Sequence, residues 1–261
     1  MIEKNKNLEL KQVDISTAQN FWNNSLEGSF FTDPNFLYKL KVNVDYWIVK
    51  KGNEELCLWP VNIGPNKIIA PPLFSYYFGP YWSNHISKIT QHSKFILYIR
   101  VFDLFLNKFE KKIAKYTGAK YAIAVTSNSA GQDLIMKALD IRDGDVINPT
   151  ISFMATAMIP LWQPNITTNI VDVDPYTMNI DVEDVRRSIT PNTKAIIAVN
   201  EAGVPAPIDE IREFYDGFII EDCAHSCYTE GAGSKGDAAV WSFQAVKTMP
   251  CGDGGMITLN D

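Results

Sequence analysis

The chain has 261 residues, 46% of them hydrophobic, and a formal charge of −6 from 24 basic and 30 acidic side chains. That length supports one large core or two modest ones, and the interspersed charge forms no basic stripe of the kind that binds nucleic acid or an anionic membrane. Four irregularly spaced cysteines, Cys57, Cys223, Cys227 and Cys251, argue against a disulfide framework; with a polar start and no apolar run long enough to span a bilayer, a cytoplasmic protein is expected.

In chain order, STAQNFWNNSLEGSFF and DPNFLYKL read as two short amphipathic helices. DYWIVKKGNEELCLWPVNI alternates about Gly52-Asn53, a hairpin signal. IIAPPLFSYYFGPYW is rich in aromatics and proline, and reads either as an apolar loop on its own core or as the lining of a groove. The run Ser29-Phe30-Phe31-Thr32-Asp33-Pro34-Asn35-Phe36-Leu37, followed by two strands and a loop with Pro71-Pro72 and Gly79-Pro80, resembles the opening part of acyltransferases of the FemAB and GNAT-like group. In that group the acyl-donor site is built by the later half of the fold, so the resemblance implies no acyl transfer here.

The texture changes near residue 95, which divides the chain into a partial α+β segment, 1–95, and an α/β domain, 96–261. A helix over DLFLNKFEKKIAKYTG stacks Phe105, Phe109 and Ile113 and stops at Gly118. Then strands YAIAVT, DVINP, TTNIVDV, KAIIAV and GFIIED alternate with helices from Ser129 to Leu139, around MATAMIPLW, and over DVEDVRRSI and IDEIREFY. GDAAVWSFQAVKTMPCGDGGMITL adds two further strands around Ser242 and Lys247. Apolar strands alternating with helices describe a mostly parallel sheet with helices on both faces.

In such sheets ligands gather at the carboxyl ends of the strands. Those ends carry Ser127-Asn128-Ser129, Thr150-Ile151-Ser152-Phe153, Asn200, Asp222 and, soon after, His225. In IIEDCAHSC, two carboxylates follow a buried strand and a histidine lies between two cysteines. Three readings are open: a metal site from Cys223, His225 and Cys227, a strand end that reaches water, or a carboxylate placed for a cofactor. Lys247, between an apolar strand and a glycine-rich return, reads either as a solvated surface lysine or as a reactive amine.

The order of these pieces resembles the pyridoxal-phosphate aminotransferases of the DegT/DnrJ/EryC1/StrS group, which act on nucleotide-linked keto sugars. The likeness runs from about Phe102 to Asp261 and includes ALDIRDGDVINPTISFMATA, VDVDPYTMNID and ITPNTKAIIAVNEAGVPAPIDEI. It implies the large domain of a fold type I transferase. It also implies that Lys247 carries the cofactor's aldehyde and moves a proton, and that Asp222 pairs with the protonated ring nitrogen. Ser129 and the Ala130 backbone would hold the phosphate at a helix start, with Ser242 adding a hydroxyl. Phe153 would stack on the ring, and His225 would lie near its phenolic oxygen. No metal is implied.

The sequence departs from that group at two places. The phosphate turn, usually Ser-Gly-Thr or Asn-Gly-Thr before a small residue and Ala-Leu, is here Ser127-Asn128-Ser129-Ala130-Gly131-Gln132. Serine keeps the hydroxyl and asparagine tolerates a left-handed backbone, whereas polar Gln132 on a normally apolar helix face is expected to be unfavourable. Members also continue beyond Gly254-Gly255 into a small domain, so a truncated or fused product is expected. Two functions stay open: an aminotransferase of nucleotide-linked keto sugars with an amino-acid donor, and a non-catalytic remnant that keeps the cofactor-binding fold. The resemblance further implies a homodimer.

Overall fold

The computed structural model describes residues 8–25, 34, 44–62, 81–82 and 91–260. The chain divides into two compact units, Met1–Lys108 and Phe109–Asp261. Among the described residues, no helix is long and apolar enough to cross a membrane.

In the first unit, β1 (Glu9–Val13), β2 (Val44–Lys51), β3 (Glu54–Asn62) and β4 (Tyr81–Trp82) form an antiparallel sheet in that order. The expected hairpin is the β2–β3 pair, turned at Gly52, whose φ of +61° favours a residue without a Cβ. Helix α1 (Ile15–Asn23) opens at Asp14, whose side chain accepts from the Thr17 N–H at 2.8 Å. Strand alternation sends Tyr46 and Ile48 into a cluster with Ala18 and Phe21 of α1. It sends Trp47 and Val49 into another with Val101. The expected second helix, the aromatic-proline stretch up to its last two residues, Tyr81 and Trp82 of β4, and most of the acyltransferase-like motif lie outside the described residues; of DPNFLYKL only Pro34 is described.

Helix α2 (Gln91–Thr117) begins a dozen residues before the expected start. In the second unit a seven-stranded sheet has the order β5-β11-β10-β9-β8-β6-β7. Its strands are β5 (Tyr121–Val125), β6 (Asp143–Pro149), β7 (Asn165–Val171), β8 (Thr193–Val199), β9 (Phe218–Asp222), β10 (Ala238–Ser242) and β11 (Gly255–Leu259). Pairs from β7 through β10 are parallel, as the alternating pattern predicts. Strand β11 runs antiparallel to both β10 and β5. The return between β10 and β11 holds no helix that could carry the chain back to the other end, so it reverses instead.

Helices α3 (Asn128–Ala138), α4 (Met154–Met158), α5 (Val182–Ser188) and α6 (Ile208–Arg212) join these strands. The helix expected over MATAMIPLW is shorter because Pro160 cannot supply an N–H; a single 3-10 turn, Pro160–Trp162, follows α4. Residues of β8 alternate between two cores. Ala195 and Ile197 pack with Ile135 and Met136 of α3, and Ile196 and Ala198 with Val185 of α5 and Ile208 of α6. Helices therefore cover both faces, and each fully buried isoleucine contributes about 1.5–3 kcal/mol. The same alternation decides where the polar residues at the strand ends go.

Candidate active site

Glu221 and Asp222 are neighbours on β9, so they face opposite sides of the sheet. Both are buried. Glu221 accepts from the backbone N–H groups of Gly233 (2.9 Å), Lys235 (2.7 Å) and Gly236 (2.7 Å). Its carboxylate fastens the loop before β10 and has a structural role that the sequence reading did not assign.

Asp222 lies on the face of α3. Its Oδ1 accepts from Asn128 Nδ2 at 2.9 Å and the Ala224 N–H at 3.1 Å. Its Oδ2 accepts from Gln132 Nε2 at 2.9 Å and Thr156 Oγ1 at 3.4 Å. Burial pushes this carboxyl above the ordinary range, while the Ala224 and Asn128 bonds and the neighbouring His225 and Lys247 pull it back. All the hydrogen bonds come from neutral groups, and among the described residues no cation forms an ion pair with it.

The cost expected of a polar Gln132 on this face is largely offset. The residue is fully buried, and its amide nitrogen reaches both Asp222 and Asn128 Oδ1, the latter at 2.8 Å. The expected penalty falls on one atom only, Gln132 Oε1, which has no partner. Asn128, read from the sequence for its backbone alone, and Thr156, not singled out, also belong to this cluster. The four-residue spacing of Asn128 and Gln132 places them on one helix face and was the available signal.

Lys247 follows β10 in the return to β11, and its Nζ lies 3.0 Å from His225 Nε2. On the far side of the ring, His225 Nδ1 lies 3.3 Å from the Ala202 N–H and 3.4 Å from Glu201 Oε1. Glu201 is a further charged residue that the sequence reading missed. With a proton on Nδ1, His225 can donate to Glu201 and leave Nε2 to accept from Lys247. With Nδ1 accepting from Ala202, the proton sits on Nε2.

The α3 start is capped by Ser127, whose hydroxyl accepts from the Ala130 N–H at 3.1 Å. The Ala130 N–H expected to hold a phosphate is thus already engaged. Among the described residues, no hydrogen bond takes up the N–H groups of Asn128 and Ser129, at the positive end of the helix. Gly255 lies against this turn: a Cβ there would stand 2.5 Å from the Ser127 carbonyl carbon and 2.7 Å from the Asn128 nitrogen. Ser242 is buried at the end of β10, its Oγ 3.5 Å from the Gln244 N–H. Phe153, at the start of α4, is 70% exposed.

Cys223 and Cys227 are buried thiols, Cys223 Sγ lying 3.3 Å from Asn200 Nδ2. Burial pushes the Cys227 thiol up to about 11 and that of Cys251 to about 12. Among the described residues no group of three or more His, Cys, Asp or Glu side chains is arranged to hold a metal ion. The three-residue metal reading of Cys223, His225 and Cys227 has no such cluster to draw on.

The model of the DegT/DnrJ/EryC1/StrS aminotransferase family matches residues 87–261. An uncharacterized protein of Methanocaldococcus jannaschii is 41% identical over 162 residues, 59% of this chain and 42% of the relative. The solved aminotransferase of Psychrobacter cryohalolentis is 33% identical with a TM-score of 0.56, over 60% of this chain and 42% of its own. The E. coli GDP-4-keto-6-deoxy-D-mannose-3-dehydratase with bound hydrated PLP is 29% identical with a TM-score of 0.56, over 60% of this chain and 44% of its own. The chain thus spans less than half the length of each of these relatives.

Proposed function

The chain belongs to the DegT/DnrJ/EryC1/StrS aminotransferase family, and from that premise we propose that it binds pyridoxal 5'-phosphate and transfers an amino group to a nucleotide-linked keto sugar. The observation that carries the proposal is the pairing of Lys247 with His225 at 3.0 Å beside the buried Asp222. The residues present suit the group. A buried carboxylate with only neutral donors matches a protonated ring nitrogen, a lysine amine matches an aldehyde, and the free N–H groups at the α3 start match a phosphate. When bound, the cofactor supplies an electron sink for deprotonation at the carbon that bears the substrate nitrogen.

The chain's own residues would do the rest. His225 Nε2 accepts a proton from the Lys247 ammonium, leaving a neutral amine able to bind a carbonyl and later to carry a proton. Asp222 stabilises positive charge at the ring nitrogen. Ser129 and Ser242 offer hydroxyls to phosphate, and exposed Phe153 offers a flat apolar face to the ring. Ala130 contributes through the capped turn that it closes rather than through a free N–H. The E. coli relative, named for its action on a GDP-linked keto sugar, supports the substrate class. An amino acid as donor follows from the family's activity.

The test is to add pyridoxal phosphate to the purified chain, reduce with borohydride, and locate the added mass. Attachment at Lys247, followed by amino transfer from an amino acid, supports the proposal. Attachment without amino transfer leaves a cofactor-binding module, and no attachment removes the reading. We extend the proposal to a homodimer, supported by the exposed apolar side chains Met154, Leu161 and Trp162, and to the cytoplasm as its compartment. Sedimentation as a monomer at roughly tens of micromolar would refute the dimer.

A further inference from the structure

Asp222, Asn128 and Gln132 close a hydrogen-bonded ring. Asn128 Nδ2 reaches Asp222 Oδ1 at 2.9 Å, Gln132 Nε2 reaches Asp222 Oδ2 at 2.9 Å, and the same Gln132 nitrogen reaches Asn128 Oδ1 at 2.8 Å. Asn128 Nδ2 also lies 3.2 Å from the Val240 carbonyl, so both amide nitrogens have two acceptors each. This fixes the orientation of both amides: Asn128 Oδ1 must accept, and Gln132 must turn its nitrogen inward. Gln132 Oε1 is then left buried without a partner, an arrangement that an apolar side chain would avoid.

We propose that Asn128 and Gln132 are positioning residues that hold Asp222 ionised and in one orientation, ready for a cationic ring nitrogen. The proposal rests on the cofactor reading of Asp222 given above. A carboxylate offers about four acceptor sites; Ala224, Asn128 and Gln132 fill three of them, and the long 3.4 Å contact to Thr156 leaves the fourth for a ring N–H. A proton on the carboxyl directed at Ala224, Asn128 or Gln132 would meet an N–H that cannot accept it, and only the Thr156 hydroxyl could turn to accept, so the two amides favour the charged form. Burial acts in the opposite direction. The ionisable groups that bear on Asp222 are His225 and Lys247, from the loops after β9 and β10, and the thiol of Cys223 beside it; Glu221 faces the other side of the sheet. Without the two amides, burial would be opposed only by one backbone N–H, a 3.4 Å hydroxyl contact and the neighbouring His225 and Lys247.

The ring can be tested in the full chain without cofactor, by carboxyl-carbon NMR of aspartate-labelled protein, with Asp222→Asn identifying the resonance. Asp222 is expected to be ionised at neutral pH, and its midpoint should rise by about one pH unit or more in Gln132→Met and in Asn128→Ser. A residue with a merely structural role would change the thermal melt and leave that midpoint in place. Should Gln132→Met fail to fold, Asn128→Ser at the half-buried helix start gives the same measurement. An Asp222 already protonated at neutral pH in the unsubstituted chain, or a midpoint unchanged in the folded variants, overturns the proposal. Borohydride fixation on Lys247 of the unsubstituted chain is scored separately. Fixation with an unmoved midpoint overturns the ring's role alone, whereas a moved midpoint without fixation supports the ring and removes the cofactor reading.

Discussion

The Nζ of Lys247 lies 3.0 Å from Nε2 of His225, and Glu201 stands on the other side of the same ring, 3.4 Å from Nδ1. Carboxylate, imidazole and amine thus form a line through which a proton can leave the lysine. Lys247→Ala should abolish borohydride-fixed cofactor and leave the thermal melt unchanged, because Lys247 sits in a loop with its side chain partly in solvent. His225→Ala should keep the attachment at Lys247 but slow its formation at neutral pH by about tenfold or more. Mass spectrometry of samples quenched over time checks both outcomes.

Glu221 fastens the loop before β10 through three backbone N–H groups, none of which faces another acceptor among the bonds described. Glu221→Ala should destabilise the second unit by about 2–3 kcal/mol, through orphaned donors rather than lost apolar contact. Urea unfolding followed by tryptophan fluorescence reads this directly, since Trp241 lies on the neighbouring strand.

Gly255 brings β11 against the α3 start. In Gly255→Ala the new Cβ would meet backbone atoms at 2.5 and 2.7 Å, and backbone cannot move aside as a side-chain tip can. A loss of about 1–3 kcal/mol is expected, together with weaker cofactor affinity because the helix start must shift. Denaturant unfolding and a cofactor titration on the same sample report the two effects.

Asp14 caps α1, and its bonds with Ser16 and Thr17 lower its carboxyl from 3.8 to about 2. A depressed folded value favours the folded state above the unfolded pKa of 3.8, and this contribution is lost as pH falls from near 4 toward 2. Asp14→Asn keeps a capping oxygen without the charge, so α1 should lose that acid dependence while still forming. Helical signal followed by circular dichroism between about pH 5 and 2, with and without the substitution, tests the direction.

The sequence by itself determined the sheet, the strand ends and the family. Apolar strands such as KAIIAV and GFIIED cannot leave a face in water, so they specify a covered parallel sheet whose chemistry lies at its carboxyl edge. On that edge the ordered series from Ser129 through Asp222 and Ser242 to Lys247 was legible because each residue ends a strand or lies in the loop or turn that follows one. The antiparallel turn of β11 was not, since it depends on the absence of a crossover between β10 and β11. Nor was the division of labour between Glu221 and Asp222, which the pleat assigns to opposite faces. Gln132 read as an unfavourable polar residue because sequence shows which face a side chain takes but not what waits there. The tertiary fold supplied Asp222, 90 positions away, and turned the same amide into its donor.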